Sequence, residues 1–331
     1  MNRSRCCRPA ALAAVLVAAF SGCGQPPGGP DMQRRVIRVE GSDTMVNLAG
    51  AWAEEYKKIR PDVSVQISGG GSGVGIASLI EGVADMANAS RKMRSREVAR
   101  AEFSMGQTPV EHVLGLDALA IYVHPNNPLE TISLEELADI YAEDGTLVRW
   151  SQLGVDNASC RSDEIIRISR QSNSGTYHYF RDAILRDREF KLGSVDQSGS
   201  KDVVALVSRT PCGIGYSGMG YATDDVKWLK VSKENGQPGV APSIETVADG
   251  SYPIARPLLI YTLGEPSGTL KEFFDWIYSD TGQQIVADLG YIPVVPPDAA
   301  SEAADANGAD ADGRDAGDPQ QDAQRDDVDE D

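Results

Sequence analysis

Short apolar runs alternate along the chain with segments whose apolar residues recur every three or four positions. The runs at 36–39, 63–67 and 84–89 have the length and composition of buried strands. The segment after the first run places six apolar or aromatic residues on one helical face: Met45, Leu48, Ala49, Trp52, Ala53 and Tyr56. Three later pairs repeat the order of strand then helix: 119–123 with 134–141, 165–169 with 177–184, and 258–261 with 270–277. This alternation predicts an α/β fold built on mostly parallel sheets flanked by helices.

The first 32 residues depart from this pattern. Three arginines precede an apolar run at 10–20 that is too short to span a bilayer, so residues 1–22 are predicted to be an export signal. The small residues before Cys23 resemble a bacterial lipobox, although Phe20 stands where leucine is usual. Cys23 is therefore the predicted site of lipidation and of attachment to a membrane, and secretory cleavage without lipidation is the alternative. Residues 23–32 are rich in glycine and proline and predict a flexible tether.

Negative charge is concentrated at the far end of the chain. Residues 298–331 contain 13 acidic and 2 basic residues, a net charge of −11, and no aromatic residue. Such a segment cannot bury enough apolar surface to offset the entropy lost on ordering, so it is predicted to be a disordered, solvated acidic tail. The whole chain carries a net charge of −18, which argues against nucleic-acid binding because that function needs a basic surface. Any anion site must therefore be built locally.

Two cysteines, Cys160 and Cys212, lie beyond the predicted lipid site. In an exported protein an even pair predicts a disulfide, and two separate buried thiols are the alternative. The sequence contains no CxxC motif and no cluster of cysteine with histidine. Neither a metal site nor a cofactor is therefore expected.

Three loops share one design, in which a predicted strand ends, small and hydroxyl residues follow, and a helix begins. They are Gly-Ser-Asp-Thr at 41–44, Gly-Ser-Gly at 71–73 and Ser-Gly-Thr at 174–176. Helix starts carry unpaired N–H groups that favour anions, and the carboxyl ends of parallel strands meet at one edge of a sheet. Ser90 and Arg91 follow the third strand, and Arg170 precedes Ser174 by four residues. A guanidinium suits a tetrahedral oxyanion, so the set predicts a buried oxyanion pocket, although each loop alone is more typical of a plain helix cap.

Two other chemistries fit the sequence less well. A P-loop is excluded because no Gly-Lys-Ser/Thr follows the glycines at 69–73. Ser174, His178 and Asp182 are spaced four residues apart and could lie on adjacent turns of a helix, as a nucleophile and its base would. Ser174 at a helix start is better suited to capping, and no Gly-x-Ser-x-Gly elbow surrounds it. A binding function without catalytic residues is expected, and a secreted serine hydrolase or phosphatase is the alternative.

Seven stretches match one family in order: 41–52, 69–75, 89–91, 123–128, 134–141 with Trp150, 170–176 and 212–220. On these residues the chain resembles the phosphate-binding lipoproteins of Pst-type ABC transporters, the PstS family, over about residues 36–295. The resemblance implies a two-lobed type II periplasmic-binding-protein fold, with lobe one formed by 33–118 plus 256–297 and lobe two by 119–255. It also implies a monomeric receptor in the cell envelope that captures inorganic phosphate between the lobes and delivers it to transmembrane permease subunits. A receptor for sulfate or molybdate and an adhesive surface protein are alternatives.

The same resemblance implies a set of phosphate ligands: Thr44, the Met45 amide, Ser72, Ser90, Arg91, Arg170, Ser174, Gly175 and Thr176. Some family members place an aspartate after the third strand, where it accepts the phosphate proton and excludes sulfate. Here that position is occupied by Ser90, followed by Arg91. A hydroxyl also accepts a hydrogen bond but discriminates less sharply, and Asp43 is a second candidate for the acceptor.

Overall fold

The computed structural model describes residues 35–294, and its longest strand joins two half-sheets. In chain order the strands are β1 (Arg35–Gly41), β2 (Val63–Ser68), β3 (Met86–Ala89), β4 (Pro109–Val123), β5 (Thr131–Ser133), β6 (Ile166–Arg170), β7 (Val195–Gln197), β8 (Gly213–Gly218), β9 (Lys227–Trp228), β10 (Lys230–Ser232), β11 (Ala255–Leu263) and β12 (Ile292–Pro293). The helices are α1 (Val46–Ile59), α2 (Ser72–Ile80), α3 (Ser95–Met105), α4 (Leu134–Tyr141), α5 (Gly175–Phe180), α6 (Ser200–Val207), α7 (Ile244–Ala248), α8 (Gly268–Ile277) and α9 (Asp280–Asp288). A 3₁₀ turn at Asp43–Met45 precedes α1, and a π-helical turn at Arg181–Leu185 follows α5. The predicted α/β class is confirmed.

The main sheet has the strand order β2-β1-β3-β11-β4-β8-β6-β7, with β9 and β12 also paired to β4. The first half-sheet consists of β2, β1, β3, β11, β12 and residues 109–118 of β4. The second half-sheet consists of residues 119–123 of β4 with β8, β9, β6 and β7. Strands β2, β1 and β3 are parallel, as are β8, β6 and β7, whereas β4 and β11 run antiparallel to their neighbours. The loops that follow parallel strands emerge at one edge of each half-sheet, where a binding site is normally built.

Helices bury their apolar faces against both half-sheets. The predicted stripe on α1 is confirmed, since Leu48, Trp52 and Tyr56 are at most 3% exposed and lie in the core of the first half-sheet. Tyr141 of α4 and Phe180 of α5 belong to the corresponding core of the second half-sheet. Burial of each large apolar side chain stabilises the fold by roughly 1.5–3 kcal/mol. These cores fix the helix starts that follow β1 and β6.

Two neighbouring strands carry the chain between the half-sheets. The chain passes from the first to the second inside β4, between Ala118 and Leu119. It returns at the start of β11, where Ala255 pairs with Ala118 and Arg256 pairs with Asp117. The connection between the half-sheets is therefore a hydrogen-bonded antiparallel ribbon, with one register shift between Leu258 and Leu259.

The predicted disulfide between Cys160 and Cys212 is confirmed, with Cα atoms 4.8 Å apart. It joins the loop before β6 to the residue before β8. Within residues 35–294 no helix is long and apolar enough to cross a bilayer. Over the same residues, no group of three or more His, Cys, Asp or Glu side chains could hold a metal ion. The predicted export signal, Cys23, the tether and the acidic tail lie outside the described residues.

Candidate functional site

The hydroxyl residues predicted from the sequence lie at the carboxyl ends of four strands. Thr44 is in the 3₁₀ turn after β1, Ser72 begins α2 after β2, and Ser90 directly follows β3. Thr176 is in the first turn of α5, after β6. All four residues have 0% of their surface exposed. Buried hydroxyls require hydrogen-bond partners, so the positions of these side chains relative to one another decide what the site can bind.

These hydroxyls come from both half-sheets and form two pairs, each within hydrogen-bonding distance. Thr44 Oγ1 is 3.1 Å from Thr176 Oγ1, a contact between the loop after β1 and the helix after β6. Ser72 Oγ is 3.4 Å from Ser90 Oγ and accepts a hydrogen bond from the Ser90 amide at 3.0 Å. A Cβ added to Gly175 would lie 2.2 Å from Ser72 Oγ and 2.5 Å from Ser90 Oγ, so only glycine fits this close approach. We call Thr44, Ser72, Ser90 and Thr176 the hydroxyl cluster; Gly175 packs directly against it.

The loop after β2 is held directly against the loop after β6. The Gly73 amide donates to the Asn173 carbonyl at 3.0 Å, and Asn173 Nδ2 donates to the Gly70 carbonyl at 2.9 Å. Gly71 has a φ of +94°, and a Cβ added there would lie 2.6 Å from the same Asn173 carbonyl oxygen. Asn173 was not singled out in the sequence, where its position just before the predicted cap of α5 was the only signal. It holds the two loops together at the edge of the hydroxyl cluster.

Arg170 ends β6 and is 1% exposed. Its Nη2 donates to Asp43 Oδ2 at 3.0 Å and to the Ser198 carbonyl at 2.7 Å, and its Nη1 donates to Ser200 Oγ at 3.1 Å. Burial lowers the pKa of Arg170 and the charge of Asp43 opposes that shift. The guanidinium keeps its positive charge at physiological pH. Arg170 and Asp43 therefore form an ion pair between the two half-sheets, and Asp43 directly precedes Thr44 in the chain.

Both carboxylate oxygens of Asp43 have partners. Oδ2 accepts from Arg170, and Oδ1 accepts from the Gly70 amide at 2.9 Å. The Asp43 carbonyl also accepts from the hydroxyl of Tyr221 at 2.6 Å. Asp43 therefore connects the loops after β1, β2 and β6, and its role as acceptor of a phosphate proton stays a prediction.

Two further predicted ligands have backbone partners. Ser174 Oγ accepts from the Thr176 amide at 3.2 Å and from the Tyr177 amide at 3.4 Å, which makes Ser174 the N-cap of α5. Its hydroxyl proton can still be donated to a ligand. The Met45 amide donates to the Ser42 carbonyl at 3.0 Å within the 3₁₀ turn. Of the two residues, Ser174 keeps the clearer capacity to contact an anion.

Arg91 lies beside the hydroxyl cluster but binds a carboxylate of α3. Its Nη1 and Nη2 donate to the two carboxylate oxygens of Glu97 at 2.8 and 2.7 Å. Such a bidentate pair holds the guanidinium in a fixed orientation. Arg91 is 8% exposed, so the pair is well shielded from water. The structure therefore gives Arg91 a partner that sequence analysis did not identify.

His178 and Ser174 do not form a nucleophile and base. His178 Nδ1 lies 2.7 Å from Arg94 Nη2, and Ser174 Oγ is used in capping α5. Burial and then the charges of Arg94 and Arg91 lower the pKa of His178 to about 4. A general base works best with a pKa near the operating pH and must reach the nucleophile. The geometry therefore argues against the hydrolase alternative, and His178 instead connects α5 to the start of α3.

A second buried ion pair reaches the hydroxyl cluster. Arg256 Nε and Nη2 donate to Asp117 Oδ2 at 3.1 and 2.9 Å, and both side chains are at most 1% exposed. Burial raises the pKa of Asp117, and the charge and hydrogen bonds of Arg256 oppose that shift. Arg256 Nη2 is also 3.3 Å from Thr44 Oγ1. The sequence analysis did not include this pair in the site; its signal was a charged residue within each of two otherwise apolar strand segments, which indicates burial with a partner.

The site therefore combines hydroxyls, close-packed glycine and two guanidinium groups from both half-sheets. Each arginine is paired with an aspartate, so the site is close to neutral before an anion binds. Hydroxyls can donate to an anion and can also accept a hydrogen bond from a protonated oxygen. The arrangement suits reversible capture of a small tetrahedral oxyanion.

The model of the PBP superfamily domain matches residues 26–281 of the chain. The phosphate-binding protein PstS of Pseudomonas aeruginosa is 35% identical, over 86% of this chain and 92% of that protein. The protein of the same name from Bacillus subtilis is 33% identical, over 78% of this chain and 80% of that protein. A solved structure from Clostridium perfringens, assigned as a phosphate ABC transporter substrate-binding protein with bound phosphate, has a TM-score of 0.70 and 30% identity. It covers 78% of this chain and 100% of that one.

These similarities extend over most of the described residues and agree with the α/β architecture and the oxyanion chemistry of the site. The two-lobed type II periplasmic-binding-protein fold implied by the sequence is confirmed. The chain belongs to the PBP superfamily and, within it, to the family of the phosphate-binding protein PstS.

Proposed function

We propose that this chain is an extracytoplasmic receptor that binds inorganic phosphate at the hydroxyl cluster and serves an ABC transporter. The observation that carries the proposal is the 3.1 Å contact between Thr44 Oγ1 and Thr176 Oγ1, which joins two predicted ligands across the half-sheets. Relatives named for phosphate binding, and a similar structure that holds phosphate, support the choice of anion. The chain is a binding protein and not an enzyme, as its relatives are named for binding.

The chemistry of the cluster accounts for a preference for a tetrahedral anion. Thr44, Ser72, Ser90 and Thr176 supply hydroxyls from four separate loops, and Arg170 supplies a buried positive charge. Hydrogen bonds to a charged group contribute about 1.5–3 kcal/mol each, roughly twice the value for neutral pairs. Such a site overcomes the overall net charge of −18 because the donors are buried and close to the anion.

Two lobes would close around the anion. We assign lobe one to 33–118 plus 256–297 and lobe two to 119–255, with the ribbon of β4 and β11 between them. Thr44, Ser72 and Ser90 then belong to lobe one, and Arg170 to Thr176 belong to lobe two. Because the full contact set exists only when the lobes meet, phosphate stabilises the closed arrangement by its differential affinity. A permease that recognises the closed receptor would distinguish loaded from empty copies.

Discrimination against sulfate depends on acceptors for the proton of phosphate. At neutral pH inorganic phosphate carries at least one proton, and sulfate carries none. The hydroxyl oxygens of the cluster can accept from that proton, and each carboxylate oxygen of Asp43 has one partner and can accept a second hydrogen bond. We therefore expect the discrimination to come from these acceptors, with Asp43 the sharper of the two because a carboxylate cannot donate to sulfate.

Titration calorimetry of the purified protein with phosphate, sulfate and molybdate tests the proposal. Phosphate should bind at least tenfold more tightly than the other two anions, and equal affinity for sulfate would overturn the assignment. Thr44→Val and Thr176→Val, which keep the shape and remove one hydroxyl each, should each weaken phosphate binding by at least tenfold. Thr262→Val is a matched control, because Thr262 is a buried threonine on β11 whose hydroxyl donates to the Gly264 carbonyl.

Attachment to the membrane through Cys23 is part of the proposal. The support is the sequence of residues 1–23, in which an arginine-rich start and a short apolar run lead to small residues and cysteine. When the full chain is expressed in a bacterium, we expect it in the membrane fraction and expect Cys23→Ser to release it to the soluble fraction. The same distribution for both proteins would contradict lipid attachment at this residue.

A further inference from the structure

Arg256 and Asp117 form a buried ion pair at the point where the two half-sheets join. They are direct cross-strand partners on β11 and β4. Asp117 Oδ2 accepts from both Nε and Nη2 of Arg256, and Oδ1 accepts from the Met219 amide at 3.2 Å. The aspartate therefore has partners on both oxygens. The guanidinium is held in one orientation by this carboxylate.

The same guanidinium has donors that Asp117 does not use. Arginine carries five N–H donors on a planar group. Nη2 also lies 3.3 Å from Thr44 Oγ1, and Nη1 is buried with no hydrogen-bond partner among residues 35–294. An unpaired donor on a charged group is costly to bury. The ion pair with Asp117 does not by itself explain why a buried N–H donor is left without a partner.

The unused donor Nη1 shares an edge of the guanidinium with Nη2, the nitrogen that reaches the hydroxyl cluster. Nη1 and Nη2 form the edge of the guanidinium opposite Nε, and Nη2 reaches Thr44 Oγ1, which is 3.1 Å from Thr176 Oγ1. Thr44 is itself fixed, because its carbonyl accepts from the Tyr291 hydroxyl at 2.7 Å. The ring of Tyr179 covers a face of the guanidinium, with its centroid 5.5 Å from Cζ. The free edge therefore adjoins the hydroxyls predicted to bind the anion.

Arg256 and Arg170 contact neighbouring residues of one turn, since Arg170 Nη2 donates to Asp43 Oδ2 at 3.0 Å and Arg256 Nη2 is 3.3 Å from Thr44 Oγ1. Burial lowers the pKa of Arg170, and the charge of Arg256 lowers it further. Two guanidinium groups buried near one another repel, and an anion between them relieves that repulsion. Each also has its own aspartate, so the pair of arginines is balanced before the anion arrives.

We propose that Arg256 is a second anion-binding arginine, whose Nη1 donates to a phosphate oxygen next to Thr44, and that Asp117 positions it. This inference rests on the proposed function, because it assumes that the hydroxyl cluster binds phosphate. It adds a ligand from the ribbon between the lobes to those from the loops. The anion would then contact lobe one, lobe two and the segment that joins them.

Arg256→Lys tests the role of the free donor. Lysine keeps a positive charge next to Asp117. Its single ammonium group cannot bind Asp117 and also donate to an anion next to Thr44, as the two edges of a planar guanidinium can. We expect calorimetry to show phosphate binding weakened at least tenfold, with the melting temperature without phosphate within a few degrees of the unmodified protein. Arg167→Lys is the matched control, since Arg167 is on β6 and donates to the Leu192 carbonyl instead. Unchanged affinity in Arg256→Lys would overturn the inference.

Asp117→Asn tests the positioning role and serves if the lysine variant does not fold. If its oxygen accepts from the Met219 amide, the asparagine turns an NH2 group toward the Nε and Nη2 donors of Arg256, and Arg256 loses the acceptor that orients it. We expect phosphate affinity to fall at least fivefold, and to fall no further in the double variant Arg256→Lys/Asp117→Asn than in Arg256→Lys alone. Unchanged affinity in Asp117→Asn would overturn the inference and indicate a purely structural pair. Absence of phosphate binding by the unmodified protein would instead refute the proposed function.

Discussion

Replacing Arg170 with alanine is expected to weaken phosphate binding by about tenfold to 150-fold. Four of the five guanidinium N–H groups are used by Gln197, Ser198, Ser200 and Asp43, which leaves one hydrogen on Nη1 for a ligand. One hydrogen bond from a charged donor contributes about 1.5–3 kcal/mol. Since about 1.4 kcal/mol corresponds to a factor of ten in affinity, the loss of this one contact gives the stated range.

The alanine variant also leaves Asp43 without its cation. An unpaired carboxylate close to the phosphate would repel it, by up to about 4 kcal/mol for unit charges about 4 Å apart at an effective dielectric constant of about 20. The single variant can therefore lose more affinity than the missing contact alone explains. The double variant Arg170→Ala/Asp43→Asn removes this repulsion. We expect affinity to decrease in the order unmodified protein, double variant, single variant.

Calorimetry at constant pH and salt measures all three affinities, and circular dichroism checks that each protein is folded. Arg167→Ala is the control. Arg167 is on the same strand as Arg170, but its Nη2 donates to the Leu192 carbonyl. The control should bind phosphate like the unmodified protein. Unchanged affinity in Arg170→Ala would mean that the anion binds elsewhere. A double variant weaker than the single variant would refute the electrostatic part of the reasoning.

Three further predictions concern close packing, pH and the disulfide. Gly175→Ala should fold, as shown by circular dichroism, but lose at least tenfold in phosphate affinity, because a Cβ would lie 2.2 Å from Ser72 Oγ; retained affinity would contradict this contact. Burial and neighbouring positive charges lower the pKa of His178 from 6.5 to about 4, so the unfolded chain takes up the proton first as the pH falls. Between pH 6.5 and about 4, this residue should therefore lower the free energy of unfolding by about 1.4 kcal/mol for each unit by which the pH falls. His178→Gln should reduce this dependence of unfolding free energy on pH, as measured by denaturant titration. An unchanged slope would contradict the lowered pKa. Cys160 and Cys212 are 52 residues apart, and replacing both with serine should cost about 4 kcal/mol in unfolding free energy by the loop-entropy estimate; an equal melting temperature would refute it.

Hydrophobic periodicity predicted the elements that bury a continuous apolar face. It predicted only 119–123 of β4, because residues 109–118 contain Glu111, His112 and Asp117 and so lack an uninterrupted apolar run. It also did not predict α3, which buries one side chain, that of Ala101. Elements that depend on tertiary pairing for their stability leave a weak local signal.

The loops of the site could be predicted because their chemistry is local. A strand end, a glycine and a hydroxyl before a helix are adjacent in sequence, as at Thr44 and Ser72. The partners of each side chain could not be predicted, since they depend on how distant segments meet. Arg91 binds Glu97, and Arg256 contacts Asp117 and Thr44. The sequence contains many carboxylates and does not show which of them each arginine binds. Only packing of the whole chain decides among them.

The ribbon of β4 and β11 limits how the two half-sheets can move relative to each other. Because the half-sheets are joined by two hydrogen-bonded strands, their relative movement requires the ribbon to bend or twist rather than a loop to swing. Residues near such a pivot are displaced least, and residues at the tips of the lobes are displaced most. Arg256 and Asp117 lie in this ribbon, whereas Asn173 and His178 lie outside it, in the loop after β6 and in α5. In the proposed receptor, an anion that leaves as the lobes separate would therefore lose its contacts outside the ribbon first and its contact with Arg256 last.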